Sequence, residues 1–143
     1  DLGVPTVALS PQDPDYADRL VRTLQAADVG FVCLAGLMTK LPTDVLDSWP
    51  GRILNIHPAL LPKHGGKGMY GMRVHEAVLA AGDTESGCSV HIVTEDYDEG
   101  PVVFQMKCPV LPDDTPETLA ERVLELEHKA YPLALKRIVE SND

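Results

Sequence analysis

Asn55 and His57 stand two residues apart at the end of "RILNIHPAL", just before the loop "PKHGGKGMYG", and Asp98 lies downstream in "HIVTEDYDEGP". An amide beside an imidazole offers two hydrogen-bond donors to a developing oxyanion, and a carboxylate near the ring can orient it and hold its proton. This set suits acyl transfer. No G-x-S-x-G elbow is present, so the nucleophile belongs to the substrate rather than to a covalent acyl-enzyme. Each residue also has a plain structural reading: Asn55 satisfying a strand end, His57 as a structural histidine before Pro58, Asp98 as a turn residue. His91 reads as a half-buried strand residue, and His64 and His75 are assigned to solvent. The five histidines form no H-x-x-x-H or H-E-x-x-H pair, and His57, His91 and Asp98 fall on separate elements, so no catalytic metal is expected. The glycine loop with Lys63 and Lys67 could cradle an anion through exposed amides. It lacks P-loop spacing, and a mobile surface loop is the competing reading.

The elements that must carry these residues follow from punctuation and periodicity. "VPTVALS" reads as a strand, followed by a helix capped by Asp13 with Pro14 at its first turn and Tyr16, Leu20 and Leu24 on one face. "DVGFVCLAG" reads as a strand buried on both faces, then a short helix at 43–49, then the strand "RILNIHPAL". Past the glycine loop comes a helix, with Met72, Val78 and Leu79 set among helix formers, stopped at Gly82. "GCSVHIVT" and "PVVFQMKCPV" are strands too closely linked for a parallel crossover, so they pair antiparallel. Thr115 and Pro116 open the last helix, with Leu119, Val123, Leu126, Ala130 and Leu133 as its stripe and Pro132 kinking it. The fold class expected is α/β: an open, mostly parallel, doubly wound Rossmann-like sheet with one antiparallel strand pair and a long carboxyl-terminal helix. In such sheets ligands gather outside the carboxyl ends of the strands. Asn55 and His57, the 94–98 segment and the "LAGLM" corner at 34–38 are expected to converge there.

Composition narrows the partners. The 143 residues suit one domain, and a hydrophobic fraction of 44% is enough for a core. A net charge of −10 argues against nucleic acid and favours a small, locally recognised substrate. Cys33, Cys88 and Cys108 are read as buried free thiols in a reducing compartment. No membrane-spanning run or signal peptide is visible, and the location expected is cytoplasmic. The chain begins at Asp1, in what looks like a loop entering a strand already inside a fold.

Four stretches together, "LAGLM", "GRILNIHPALLPKHGGKGMYG", "SGCSVHIVTEDYDEGPVVFQ" and "LELEHKAYPLAL", resemble the glycinamide ribonucleotide formyltransferase family of purine biosynthesis. The joint occurrence of N-x-H-P-x-L-L-P and H-x-V-T-x-x-x-D-x-G-P is the most specific part of the likeness. The resemblance implies that Asn55, His57 and Asp98 are catalytic, moving the formyl group of 10-formyltetrahydrofolate, a co-substrate, to the amine of glycinamide ribonucleotide without a metal. It implies a folate pocket of Leu34, Met38, Thr39, Lys40, Leu41, Ile53, Val93, Thr94, Glu95, Asp96, Tyr97 and Gly100. It implies a nucleotide site of Met38, Ile56, Pro58 and Glu127, the last accepting from ribose hydroxyls, in a monomer or homodimer. Thr39 stands where the family commonly has an arginine, and an ammonium at Lys40 is no equivalent of a guanidinium for a folate carboxylate. The family's amino-terminal strand and phosphate-binding loop are not among the 143 residues, so the chain is expected to belong to a longer polypeptide and to bind folate better than ribonucleotide. Alternatives are a formyltetrahydrofolate hydrolase, another formyltransferase of the same family, or a catalytically silent fragment.

Overall fold

A computed structural model of the protein describes residues 2–37, 39–96 and 98–142. Met38 and Tyr97 of the expected ligand sites, and Asp1, lie outside the described residues. The order is α1 (Tyr16–Ala26), β1 (Val32–Leu34), α2 (Thr43–Ser48), β2 (Ile53–His57), α3 (Met72–Ala80), β3 (Glu85–Ile92), β4 (Val102–Pro109) and α4 (Pro116–Ser141). The four strands form one open sheet in chain order. β1 and β2 are parallel; β3 runs antiparallel to β2, and β4 to β3. The open α/β sheet, the antiparallel β3–β4 pair and the long last helix are as the sequence predicts, with the parallel part confined to β1–β2.

Alternation along β2 and β3 divides the sheet into two faces. Leu54 and Val90 point to α4, where they are fully buried with Ala134 and flanked by Ile56, Phe104 and Tyr131. A second cluster on that helix joins Val78 of α3 to Cys88, Cys108, Leu119, Val123 and Ala130. Asn55, His57, Ser89 and His91 point the other way. β1, α1 and α2 close one side of that face through Val45, Trp49 and Ile53, packed with Leu20, Leu24, Leu34, Leu41 and Val93.

Several expectations are corrected. Residues 4–10 form no strand, and Val4 and Val7 are exposed; an apolar run becomes a strand only where a sheet edge pairs with it. α1 starts at Tyr16 with Asp15 at its N-cap position and no side-chain cap, because the Ser10–Asp13 turn takes up the preceding residues. β1 is three residues long and leaves Cys33 exposed, being the last strand of the sheet rather than a sandwiched one; only Cys88 and Cys108 are buried thiols. α4 does open with the Thr115–Thr118 capping box and runs on through Pro132. Its buried position after Ala130 is Ala134, and Leu133 is half exposed, since a turn of 3.6 residues carries the stripe past it.

Candidate active site

The polar face between β2 and β3 holds the site. Asn55 and His91 are direct partners in the antiparallel register, as are His57 and Ser89. Their shared face therefore places two histidines, an asparagine and a serine in one small rectangle, a grouping that strand alternation alone produces once the register is set. Two loops enter from opposite ends. The loop after β2 begins at Pro58 and folds back over His57, with Ala59 and Leu61 buried beneath it. The 93–101 loop starts where β3 meets the beginning of β2, marked by the Val93 amide donating to the Ile53 carbonyl at 2.8 Å.

This second loop overturns one expectation. Because β3 is antiparallel, its carboxyl end lies beside the start of β2, so the three sequence features do not converge on one carboxyl edge. The loop instead doubles back, with Asp98 in the left-handed region at φ 55°, and sets its carboxylate over the sheet face. Asp98 Oδ1 is 3.5 Å from His57 Nδ1 and 3.5 Å from His91 Nε2. The Gly66 amide donates to Asp98 Oδ2 at 3.0 Å, joining the two loops. A β-carbon at Gly65 would lie 2.5 Å from Leu61 Cδ2 and 3.2 Å from the β-carbon of Asp98, so any side chain there would have to displace its neighbours. Gly100 is tighter still: a β-carbon there would overlap the Ile92 carbonyl where the loop rejoins the sheet.

Asn55, His57 and Asp98 are thus brought together, and His91, expected only as a half-buried strand residue, joins them. It is 3% exposed. Its Nδ1 donates to the Ile92 carbonyl at 3.1 Å. Its Nε2 lies 3.4 Å from Asn55 Nδ2, so it accepts from the amide when neutral and donates to Asp98 when protonated. The signal for it was present: His91 and Ser89 share one face of a strand whose other face carries Val90 and Ile92. His57 is 4% exposed. Burial lowers its pKa, and that effect outweighs the nearby Asp98 charge and the bond to the His64 carbonyl, which both act upward. Burial pushes Asp98 upward, but the His91 bond, the His57 charge and the Gly66 amide together hold its carboxyl below the ordinary value. Asp98 is therefore ionised at neutral pH, beside a ring that gives up its proton easily.

The assignment of His64 and His75 to solvent is corrected. His64 Nε2 pairs with Asp83 Oδ2 at 2.7 Å, and its backbone carbonyl accepts from His57 Nε2 at 2.7 Å. His75 is 5% exposed because α3 turns it inward, and its Nδ1 has no partner among the described residues. A fully buried hydroxyl, Ser89, donates to the Ala59 carbonyl at 2.7 Å and accepts from the Leu61 amide at 3.0 Å. Gln105 of β4 donates to Ser89 Oγ at 2.9 Å and to the Leu61 carbonyl at 3.0 Å. These bonds fix the backbone that leaves β2. Neither residue was singled out in the sequence, because neither has a motif; only the pairing of β3 with β4 places them together.

The other expected ligand residues are spread more widely. Leu34, Leu41, Ile53 and Val93 pack in one apolar cluster with Ile53 sealed from solvent, while Thr39, Lys40, Thr94, Glu95 and Asp96 are exposed around it. A cleft of about 310 Å³ lies beside Asp98, lined by Leu61, Pro62, Gly65, Gly66, Gly100 and neighbours. Pro58 follows His57 on the loop side, whereas Ile56 and Glu127 belong to the α4 face. Glu127 is half-buried, which raises its pKa, and its charge adds to the effect of burial that takes the Cys88 thiol to about 11. Four residues on, the Tyr131 hydroxyl lies 2.7 Å from the Leu34 carbonyl and 3.0 Å from the Leu54 carbonyl, tying α4 to β1 and β2. Among the described residues no group of three or more His, Cys, Asp or Glu is placed to hold a metal ion, and no helix is long and apolar enough to cross a membrane.

Comparison with known proteins shows what the chain resembles in sequence and fold. The chain is 47% identical over 127 residues to the chloroplastic phosphoribosylglycinamide formyltransferase of Arabidopsis thaliana, covering 89% of the chain and 44% of that protein. It is 41% identical over 141 residues to the trifunctional purine biosynthetic protein adenosine-3 of Drosophila melanogaster, covering 96% of the chain and 10% of that protein. The phosphoribosylglycinamide formyltransferase structure from Anaplasma phagocytophilum superposes with a TM-score of 0.87 at 37% identity, over 97% of this chain and 65% of that one. The chain thus spans less than half of the curated relatives it matches. The family profile described as formyl transferase matches residues 7–135, and the chain belongs to the formyl transferase family.

Proposed function

We propose that the protein transfers the formyl group of 10-formyltetrahydrofolate to the primary amine of glycinamide ribonucleotide, a step of purine biosynthesis. The observation that carries this reading is the Asp98 carboxylate held 3.5 Å from both His57 and His91 beside Asn55, on a face bordered by a cleft. The amine attacks the formyl carbon. A C–N bond forms to the acceptor, the carbonyl oxygen becomes an oxyanion, and the bond to N10 of the folate then breaks. Asn55 donates to the oxyanion through Nδ2, and His57 donates when protonated. Asp98 keeps the imidazolium favourable and, through a water, carries the proton from the attacking amine toward the departing nitrogen. Folate lies along the 34–41 corner and the 95–100 loop, and Glu127 takes the ribose hydroxyls. The partners are small molecules, the assembly is a monomer or homodimer, and the setting is the cytosol.

The test is acceptor-dependent consumption of 10-formyltetrahydrofolate by the 143-residue chain. Formyl product appearing with glycinamide ribonucleotide, and little folate loss without it, supports the reading. Folate loss at the same rate without the amine would assign a hydrolase instead. Separate titrations with a folate analogue and with the ribonucleotide measure each half of the site, the folate analogue being the tighter ligand of these residues.

A further inference from the structure

Both ring nitrogens of His57 face acceptors, but unequally. Nε2 is 2.7 Å from the His64 carbonyl, a short bond that requires Nε2–H, while Nδ1 is 3.5 Å from Asp98 Oδ1, a loose contact. The His64 carbonyl is aimed by an unusual backbone: φ at His64 is 56°, in the left-handed region that glycine occupies freely. A histidine there is strained relative to glycine, in a loop that uses glycine at 65, 66 and 68. Its ring is held by Asp83 at 2.7 Å, on the turn after α3, with Lys63 Nζ 3.9 Å from the other carboxylate oxygen. The next residues extend the same grip, since the Gly66 amide holds Asp98. Residues 64–66 form a backbone clasp over the His57–Asp98 pair, anchored by one side chain to a rigid helix end.

We propose that His64 and Asp83 are a positioning pair for the formyl-transfer site: their contact fixes the left-handed turn, and the His64 carbonyl then locks His57 in the Nε2–H tautomer, leaving Nδ1 as the nitrogen that takes and gives the proton. The proposal rests on the reading of His57 as the catalytic imidazole. It assigns a role to a histidine and an aspartate outside the catalytic set, the histidine standing at a backbone position where glycine would be unstrained. The groups facing His57 are Asp98 and His91 from β3 and its loop, His64 from the glycine loop, and His75 from α3; Lys63 is the further charge on Asp83. A cleft of about 530 Å³, lined by Lys63, His64, Asp83, Glu85, Gln105 and Lys107 among others, borders the pair, so solvent protons reach it.

The experiment is ¹⁵N NMR of the His57 ring at a pH where it is neutral, on the whole chain, with His64→Gly and Asp83→Ala beside the parent. His64→Gly keeps the backbone conformation accessible and removes only the anchor, so loss of folding does not confound it; Asp83→Ala removes the other half from a different element. The parent is expected to show His57 as Nε2–H, and both variants a mixture of tautomers. Turnover in both is expected to fall about 10- to 100-fold with KM for the folate little changed, as for removal of other outer partners that orient a reacting imidazole. A His57 that stays wholly Nε2–H in both variants would overturn the proposal whatever the turnover. A parent with the mixed tautomer would overturn it too. The ring signal is read without catalysis, so an inactive parent with a locked Nε2–H ring would count against the proposed reaction and leave the positioning intact.

Discussion

At the scale of single residues, the site works by crowding polar groups onto one strand face and giving each a fixed neighbour. In the proposed reaction Asn55, His57 and Asp98 act on charge that exists fully only in the transition state, so their removal should spare ligand binding and impair turnover. Asn55→Ala, His57→Ala and Asp98→Ala are each expected to lower kcat by ~10²-fold or more, with the dissociation constant of a folate analogue little changed. Near-normal turnover by His57→Ala would sink the assignment. Ser89 acts on structure instead. Its hydroxyl is fully buried and serves Ala59, Leu61 and Gln105 at once, so Ser89→Ala strands a buried amide and carbonyl and should destabilise the fold by about 1–3 kcal/mol. Urea unfolding of the two proteins measures it; equal midpoints would mean that water replaces the hydroxyl.

At the scale of elements, α4 is the brace. It begins in a capping box, covers the apolar face of the sheet, and reaches the ends of β1 and β2 through Tyr131. Asp114, just before the helix, holds Arg122 through two contacts at 2.7 and 2.9 Å, and this bond keeps its carboxyl far below the usual range. Thr115→Ala should cost about 1 kcal/mol, the ordinary effect of losing a helix cap. Tyr131→Phe should also cost about 1–3 kcal/mol, since the one hydroxyl proton shared by the Leu34 and Leu54 carbonyls is lost. The two sites are independent, so the double variant is expected to show the sum of the single effects. A Tyr131→Phe protein as stable as the parent would show that the Leu34 and Leu54 carbonyls find other partners.

At the scale of the whole molecule, buried histidines link stability to pH. His57 and His75 both have folded pKa values below 6.5, with desolvation as the main cause. Their unfolded forms bind protons first as the pH falls, so the unfolded state is favoured by acid. The stability they contribute is fully present above about pH 6.5 and is lost as pH drops below it through their folded pKa values. Urea midpoints should therefore be lower at about pH 5.5 than at about pH 7.5. A midpoint that is flat or rises across that interval would mean that both rings are accommodated as cations in the folded protein.

What the sequence by itself determined was whatever depends on local chemistry. The strand at Ile53–His57, the helix stop at Gly82, the Thr115 cap and the short antiparallel link between β3 and β4 are each written in a few adjacent residues, and each is present. So is the family, because the Asn-x-His-Pro and His-x-Val-Thr motifs are local strings. Tertiary structure decided the rest. The run at 4–10 has strand composition but no paired edge. His91, Ser89 and Gln105 gain their partners only from the β2–β3–β4 register, a non-local property. Asp98 reaches His57 not from a carboxyl edge but by a loop that reverses over the sheet face, because β3 runs antiparallel to β2. His64 and His75 look like surface histidines in the string, and become a clasp and a buried ring once α3 and the glycine loop close over that face. Proximity across the sheet depends on strand direction and register, and no short stretch of residues specifies either.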